Sequence, residues 1–285
     1  MTQIERVAVI GLGTMGAGIA QVMLEGGHRV VGRDVDAGAI ARGRERIEFG
    51  LRKRVEKGRM GRAEATAALT RFSTTHELEG CVDAELVIEA IVEDAGAKQE
   101  LFAALDELCP PAAIFATNTS ALPITAIAAA SGRPERCLGL HFFNPAPLMP
   151  LVEVVRTILT RDDVYEAAHG AVIRCGKTAV RCSDTPGFVV NRILIPLMND
   201  AVRSLDETGA SVADIDAAMR LGAGWPMGPF SLLDLVGLDV HVHAAEALFA
   251  ATREPRMAPP PRLLRMVEAG LLGRKTGRGF FDYAP

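Results

Sequence analysis

The sequence holds six histidines, and one stands where acid–base chemistry would need it. His141 lies in the apolar run LGLHFF, and Glu153 interrupts a second run, LVEVV. A buried strand would carry valine at both positions. Neutral imidazole is the side chain suited to take and return a proton near pH 7. A carboxylate on its other nitrogen would fix the tautomer and stabilise the imidazolium that forms. The bland alternative is a structural ion pair, but burying two charges for packing alone rarely gains stability. The proline-rich link 145–150, between FFN and LVEVV, predicts a reversal that lays the Glu153 strand beside the His141 strand.

Other polar residues stand near the ends of predicted strands. Asn118-Thr119-Ser120 closes AAIFATN; the Ser120 hydroxyl can bond a substrate oxygen or merely cap the next helix. Asn191, just beyond SDTPGF, is placed to reach back across a domain cleft as a donor to oxygen. The remaining histidines, His28, His76, His169, His241 and His243, fall on predicted helices, turns or exposed segments. His241-Val242-His243 has no cysteine or carboxylate at ligand spacing, so no metal site is expected.

A second constellation opens the chain. Strand-like RVAVI runs into Gly11-Leu12-Gly13-Thr14-Met15-Gly16, and the helical pattern AGIAQVMLE follows. Gly11 permits the tight turn, Gly13 admits a pyrophosphate, and Gly16 lets helix and strand pack closely. Asp34 then closes the second strand, where an acid accepts from the adenosine ribose hydroxyls. Its charge opposes a 2′-phosphate and favours NAD over NADP, while Arg33 beside it keeps NADP in view.

Positioning these residues requires a scaffold. Strands are predicted at 6–13, 28–34, 84–90, 112–118, 137–143 and 150–155. Helices are predicted at 14–26, 38–57, 62–70, 95–108, 123–131 and 162–175. Continuous apolar strands alternating with amphipathic helices imply a mostly parallel, doubly wound α/β sheet covered on both faces. Residues 38–70 form a helical-hairpin insertion carrying Arg42, Arg44, Arg46, Arg52, Lys53, Arg54, Lys57, Arg59 and Arg62. Those cations read either as a solvated face or as an anion site, with Glu45, Glu48 and Glu56 diluting the charge.

After SDTPGF the pattern becomes wholly helical. The boundary is set at 1–186 and 187–285, a Rossmann-type domain followed by an all-α domain. Val189, Val190, Ile193, Leu194, Leu197, Met198, Ala201, Val202 and Leu205 make an apolar stripe too rich for a lone surface helix. It points to a subunit interface. Ser211 and Asp214 have capping-box spacing, and further helices are predicted at 212–221, 229–236, 238–252 and 261–269.

The bulk numbers exclude other classes. The chain is 49% hydrophobic with a net charge of −4, which gives no overall pull toward nucleic acid or anionic membrane. No apolar run reaches spanning length, and with an apolar strand opening at position 4 no secretory targeting segment is expected. Five scattered cysteines without a C-x-x-C suit reduced thiols in the cytoplasm.

Taken in order, the motifs VIGLGTMGAGIA, EAIVED, NTSALPIT, HFFNPAPLMPLVEVV, DTPGFVVNR, GAGWPMGPFSLLDLVGLD and GRKTGRGFFDY resemble the short-chain L-3-hydroxyacyl-CoA dehydrogenases from end to end. The resemblance implies NAD as cofactor, an acyl-CoA substrate and a homodimer formed through the C-terminal domain. It makes His141 the general acid/base and Glu153 its partner, with Ser120 and Asn191 around the substrate oxygen and thioester. Glu93 and Lys98 become contacts near the nicotinamide ribose and pyrophosphate. Asn144 joins the substrate side, and the basic insertion, represented by Lys53, would grip the CoA phosphates. Two departures stand out: Ser120-Ala121 where two serines are usual, and Arg33 where an apolar residue is usual. The rival readings are a gulonate dehydrogenase/lambda-crystallin-like hydroxy-acid dehydrogenase and a non-catalytic nucleotide-binding protein.

Overall fold

The computed structural model describes residues 4–283, and the chain divides into two compact units, Met1–Thr185 and Pro186–Pro285. In the first unit eight strands form one sheet in the order β3-β2-β1-β4-β5-β6-β7-β8. They are β1 Arg6–Ile10, β2 Arg29–Arg33, β3 Phe72–Thr75, β4 Leu86–Glu89, β5 Ile114–Thr117, β6 Cys137–Phe142, β7 Leu151–Arg156 and β8 Thr178–Ser183. Every neighbouring pair is parallel except β6 and β7, which run antiparallel. Helices α1 Thr14–Glu25, α2 Ala37–Glu56, α3 Arg62–Thr70, α4 Ala95–Leu108, α5 Ile124–Ala128 and α6 Asp162–Arg174 complete the unit.

The strands are apolar on both sides because both sides are covered. Val7, Val9, Ile88, Leu138 and Leu140 pack in one core with Ile19 and Met23 of α1. Ala8, Ile10, Val87 and Phe115 pack in another with Phe102 and Leu105 of α4. The chain order reverses direction at β1, which lies between β2 and β4. A ligand crevice forms outside the carboxyl ends of the strands at such a switch point.

Two strands escaped the sequence reading. The short strand β3, FSTT, is mostly polar and only Phe72 is buried. The other, β8, lies at the sheet edge and buries none of its residues fully, so neither shows a continuous apolar run. The expected reversal after His141 is present. Pro145 oxygen accepts from Leu148 and Met149 N–H at 2.9 and 3.0 Å. Lys177 Nζ donates to the carbonyls of Ala146, Pro147 and Met149 at 2.8, 3.3 and 2.8 Å. The Asn144–Pro145 peptide within this link is cis.

The second unit is a helical cluster of α7 Val190–Thr208, α8 Val212–Gly222, α9 Pro229–Val236, α10 Leu238–Thr252 and α11 Pro261–Glu268. Ser211 and Asp214 form the anticipated capping box on α8. Asp216 accepts from Phe230 and Ser231 N–H at the start of α9, at 2.8 and 3.0 Å. Asp234 holds the chain end through Phe280 N–H, Phe281 N–H and the Tyr283 hydroxyl. The α7 stripe is divided rather than uniform. Met198 and Val202 enter the helical core, whereas Ile193 and Leu197, one turn apart, remain open at 59% and 37% exposure. No helix among the described residues is long and apolar enough to cross a membrane.

Candidate active site

His141 and Glu153 are directly opposed in the antiparallel pairing of β6 with β7. Opposed residues project from the same face of a sheet, so this register brings the ring and the carboxylate together. Glu153 Oε2 lies 2.6 Å from His141 Nδ1. Both side chains are buried, Glu153 completely. A carboxylate accepts only, so Nδ1 carries the proton and Nε2 is left with its lone pair directed away. Nε2 meets Ser120 Oγ at 3.1 Å, and Ser120 is exposed. The site therefore has a buried, oriented imidazole with its basic nitrogen at an accessible edge.

Ser120 follows the end of β5, and the local hydrogen bonds explain why it points at the ring. Thr119 Oγ1 accepts from Ala121 and Leu122 N–H at 3.3 and 2.9 Å. The Glu93 carboxylate accepts from Thr119 Oγ1 at 2.5 Å and Ser120 N–H at 2.9 Å. Burial would raise the Glu93 carboxyl, but the Thr119 hydroxyl, the Lys98 charge and the Ser120 amide outweigh it and hold it below the ordinary value. Asn118 Oδ1 accepts from Phe142 N–H at 2.9 Å, tying β5 to β6 beside the site. The capping alternative for Ser120 fails: Asp184 instead accepts from Ile124 and Thr125 N–H, 3.1 and 2.7 Å away, at the start of α5.

The glycine loop separates positions required by packing from one kept open. Gly11 has φ +90°, and a Cβ there would lie 2.6 Å from Ala90 oxygen. A Cβ on Gly16 would lie 1.6 Å from Gly11 oxygen. At Gly13 a Cβ would meet nothing within 4 Å, and Gly13 caps α1 without any side-chain bond. That combination leaves space and first-turn N–H groups for a phosphate. Asp34 Oδ2 accepts from Leu12 N–H at 2.8 Å, holding the loop against the end of β2. Arg33 Nε donates to His76 oxygen at 3.1 Å, which ties that guanidinium back to the protein. These residues fit a dinucleotide: Gly13 and the start of α1 would hold its pyrophosphate, and Asp34 its ribose.

Other expected residues fall in different places. Lys98 lies beneath the site: its side chain is 1% exposed, with Nζ 2.5 Å from Glu89 Oε1 and 3.3 Å from Glu93 Oε2. Asn144 is exposed three residues beyond His141. Asn191 lies in the first turn of α7, in the other compact unit. Lys53 is exposed on α2, paired with Glu56 at 2.7 Å and 5.5 Å from the Phe49 ring centroid. Among the described residues, no group of three or more His, Cys, Asp or Glu could hold a metal.

His28 and His241 were grouped with turns and helices but are buried. Burial lowers both: His241 falls to about 4, and His28 is lowered further by Arg174. His241 Nε2 bonds Asn199 Oδ1 at 2.9 Å, which gives it a structural role in the helical unit. The sequence reading missed Glu89, fully buried at the end of β4. Its signal was the one that exposed His141 and Glu153, an ionisable residue closing an apolar strand.

The fold and site thus define a dinucleotide-binding α/β unit carrying a histidine–carboxylate pair, joined to a helical unit. The NAD binding domain model of 3-hydroxyacyl-CoA dehydrogenase matches residues 6–185, and the C-terminal domain model of that enzyme matches 187–283. The chain belongs to the 3-hydroxyacyl-CoA dehydrogenase family. It is 46% identical over 98% of its length to 99% of a 3-hydroxybutyryl-CoA dehydrogenase of Mycobacterium tuberculosis. It is 44% identical over 99% of its length to 60% of a 3-hydroxyadipyl-CoA dehydrogenase of Escherichia coli. The crystal structure of (S)-3-hydroxybutyryl-CoA dehydrogenase from Ralstonia eutropha superposes with a TM-score of 0.95 at 37% identity, covering 99% of this chain and 100% of that one.

Proposed function

We propose that this protein catalyses the reversible NAD-linked oxidation of a short-chain (S)-3-hydroxyacyl-CoA, such as 3-hydroxybutyryl-CoA, to the 3-oxoacyl-CoA. The observation that carries the proposal is the His141 ring, bonded at Nδ1 to buried Glu153 and presenting Nε2 to Ser120 at the accessible edge. Bound NAD supplies the hydride acceptor. The chain supplies the proton acceptor: His141 Nε2 takes the proton of the substrate 3-hydroxyl, and Glu153 stabilises the imidazolium. In the reverse direction His141 returns that proton. The Ser120 hydroxyl binds the same substrate oxygen and aligns it with Nε2. Asn191 donates to the thioester side and Asn144 lines the substrate, with Glu93 beside the nicotinamide ribose.

The basic face of α2 takes the CoA phosphates in this reading. Lys53 and Arg52 flank the half-exposed Phe49 ring, each 5.5 Å from its centroid. The helical unit pairs two copies of the chain. Supporting this are Ile193, Leu235, Val236 and Val240, all of them between 48% and 59% exposed. Light scattering of the purified protein measures that assembly directly.

The test of function is the oxidation of NADH by acetoacetyl-CoA and by longer 3-oxoacyl thioesters, set against the reduction of NAD by free hydroxy acids, all followed by nicotinamide absorbance. Turnover with the short thioester is expected, and His141→Gln is expected to lower it about a hundredfold or more. Near-normal turnover by a folded His141→Gln protein rejects the mechanism. Turnover of free hydroxy acids alone assigns the protein to the hydroxy-acid branch, and NAD binding without turnover makes it non-catalytic.

A further inference from the structure

We propose that Glu89 and Lys98 are positioning residues for this reaction, holding the Ser120 hydroxyl against His141 through Glu93. The inference rests on the dehydrogenase reading above. The interior beneath the site is unusual. Lys98 is 1% exposed and Glu89 is wholly buried, at the end of a strand whose other residues are Leu86, Val87 and Ile88. Desolvating such a pair offsets most of its attraction, and apolar residues of similar volume commonly serve stability as well or better. Packing alone gives little reason for the pair.

The bonds give one. Glu89 Oε1 accepts from Lys98 Nζ at 2.5 Å and from Ile91 N–H at 2.7 Å, and Oε2 accepts from Thr117 Oγ1 at 2.6 Å. This joins the ends of β4 and β5 to α4. Lys98 Nζ then reaches Glu93 Oε2 at 3.3 Å. The other oxygen of Glu93 accepts from Thr119 Oγ1 and Ser120 N–H. Ser120 Oγ completes the path to His141 Nε2 at 3.1 Å, and His141 leads to Glu153 on β7. One continuous polar chain therefore crosses the carboxyl ends of β4, β5 and β6 to the amino end of antiparallel β7.

Within that chain Glu93 is the loose member. Its side chain is 35% exposed, and its neighbour Val92 is 70% exposed. The Lys98 ammonium anchors its Oε2, and Glu89 fixes Lys98. Without that anchor the Glu93 carboxylate can turn to solvent and release Ser120. A displacement of about 1 Å at a reacting group can cost about a hundredfold in rate, so an anchor this deep has catalytic consequences.

A double-mutant cycle separates this role from a structural one. Glu89→Gln keeps the side chain's size and removes its charge. It is expected to lower kcat about tenfold when Ser120 is present and no more than about twofold in a Ser120→Ala background, because coupled residues are non-additive. Equal proportional losses in both backgrounds, or unchanged kcat in a folded Glu89→Gln protein, overturn the proposal. If Glu89→Gln does not fold, the same cycle is run with Glu89→Gln/Lys98→Met, which removes the buried pair together. If neither folds, the pair is a stability element and the positioning role falls. His141→Gln is the control: its retained turnover defeats the dehydrogenase mechanism itself. Its inactivity beside a fully active Glu89→Gln defeats only the positioning role.

Discussion

His141 and Glu153 face each other across the junction of β6 and β7, with Nδ1 and Oε2 2.6 Å apart. That junction is antiparallel within an otherwise parallel set of pairings. The chain reversal at 145–150 is what sets it, because it fixes which residues stand opposite one another. A one-residue slip in register would send the Glu153 carboxylate to the other face. The polar spacing of HFFNPAPLMPLVE is thus a device for bringing a carboxylate to a ring nitrogen.

Replacing Glu153 tests the charge rather than the contact. Glu153→Gln preserves the volume and can still bond Nδ1, but cannot stabilise a positive ring. Turnover should fall roughly a hundredfold or more, with little change in KM for the thioester. Steady-state kinetics alongside a thermal melt provide the check. Wild-type kcat in a folded variant would mean that the buried carboxylate is only structural.

Cofactor choice is tested at Asp34. Its Oδ2 holds Leu12 N–H at 2.8 Å, a bond that the amide oxygen of asparagine can also accept. Asp34→Asn should therefore leave the glycine loop closed while removing the charge that opposes a 2′-phosphate. The ratio of kcat/KM for NADH over NADPH should narrow by about tenfold, the equivalent of about 1.4 kcal/mol of discrimination. Arg33, tied to the His76 carbonyl, then becomes the nearby cation available to such a phosphate. Unchanged discrimination would remove Asp34 from cofactor selection.

Acid stability follows from the buried histidines. Burial lowers the folded-state value of His241 from 6.5 to about 4, and that of His28 in the same direction. The unfolded chain therefore binds more protons than the folded chain below about pH 6.5, so stability is lost as pH falls through this window. For His241 the loss should reach about 3 kcal/mol by pH 4. Urea midpoints between pH 7 and 4.5 should show it, and His241→Gln should flatten the slope. An equally steep slope in that variant would place the acid sensitivity elsewhere.

Most of the scaffold was legible because it rests on repeated local patterns. The glycine loop, the alternation of apolar strands with amphipathic helices and the capping box at Ser211 each follow from adjacent residues. The missed strands, β3 and β8, depend on neighbours distant in sequence and expose part of their length. The His141–Glu153 pair was readable because the proline link lies between its members. Glu89, Thr117 and Lys98 come from separate elements, and nothing local in AELVIEA names their partners. The same holds for Asp184, whose carboxylate bonds the start of α5 from a position 60 residues beyond Ile124.

The glycines offer a final contrast between folding and binding. A Cβ at position 16 would sit 1.6 Å from the Gly11 carbonyl oxygen, deep in the packing of α1 against β1. Gly16→Ala should therefore force the helix away from the strand and cost several kcal/mol, as overpacked sites do, with soluble yield and melting temperature falling together. Gly13 differs, since a Cβ there meets nothing within 4 Å and φ is −63°. Gly13→Ala should fold with a melting temperature close to the parent's. Its methyl group would occupy the space beside the first turn of α1, so NADH affinity should drop at least about tenfold, measured by fluorescence titration. If Gly13→Ala binds NADH normally, the dinucleotide does not approach the backbone there, and the phosphate site assigned to this loop is wrong.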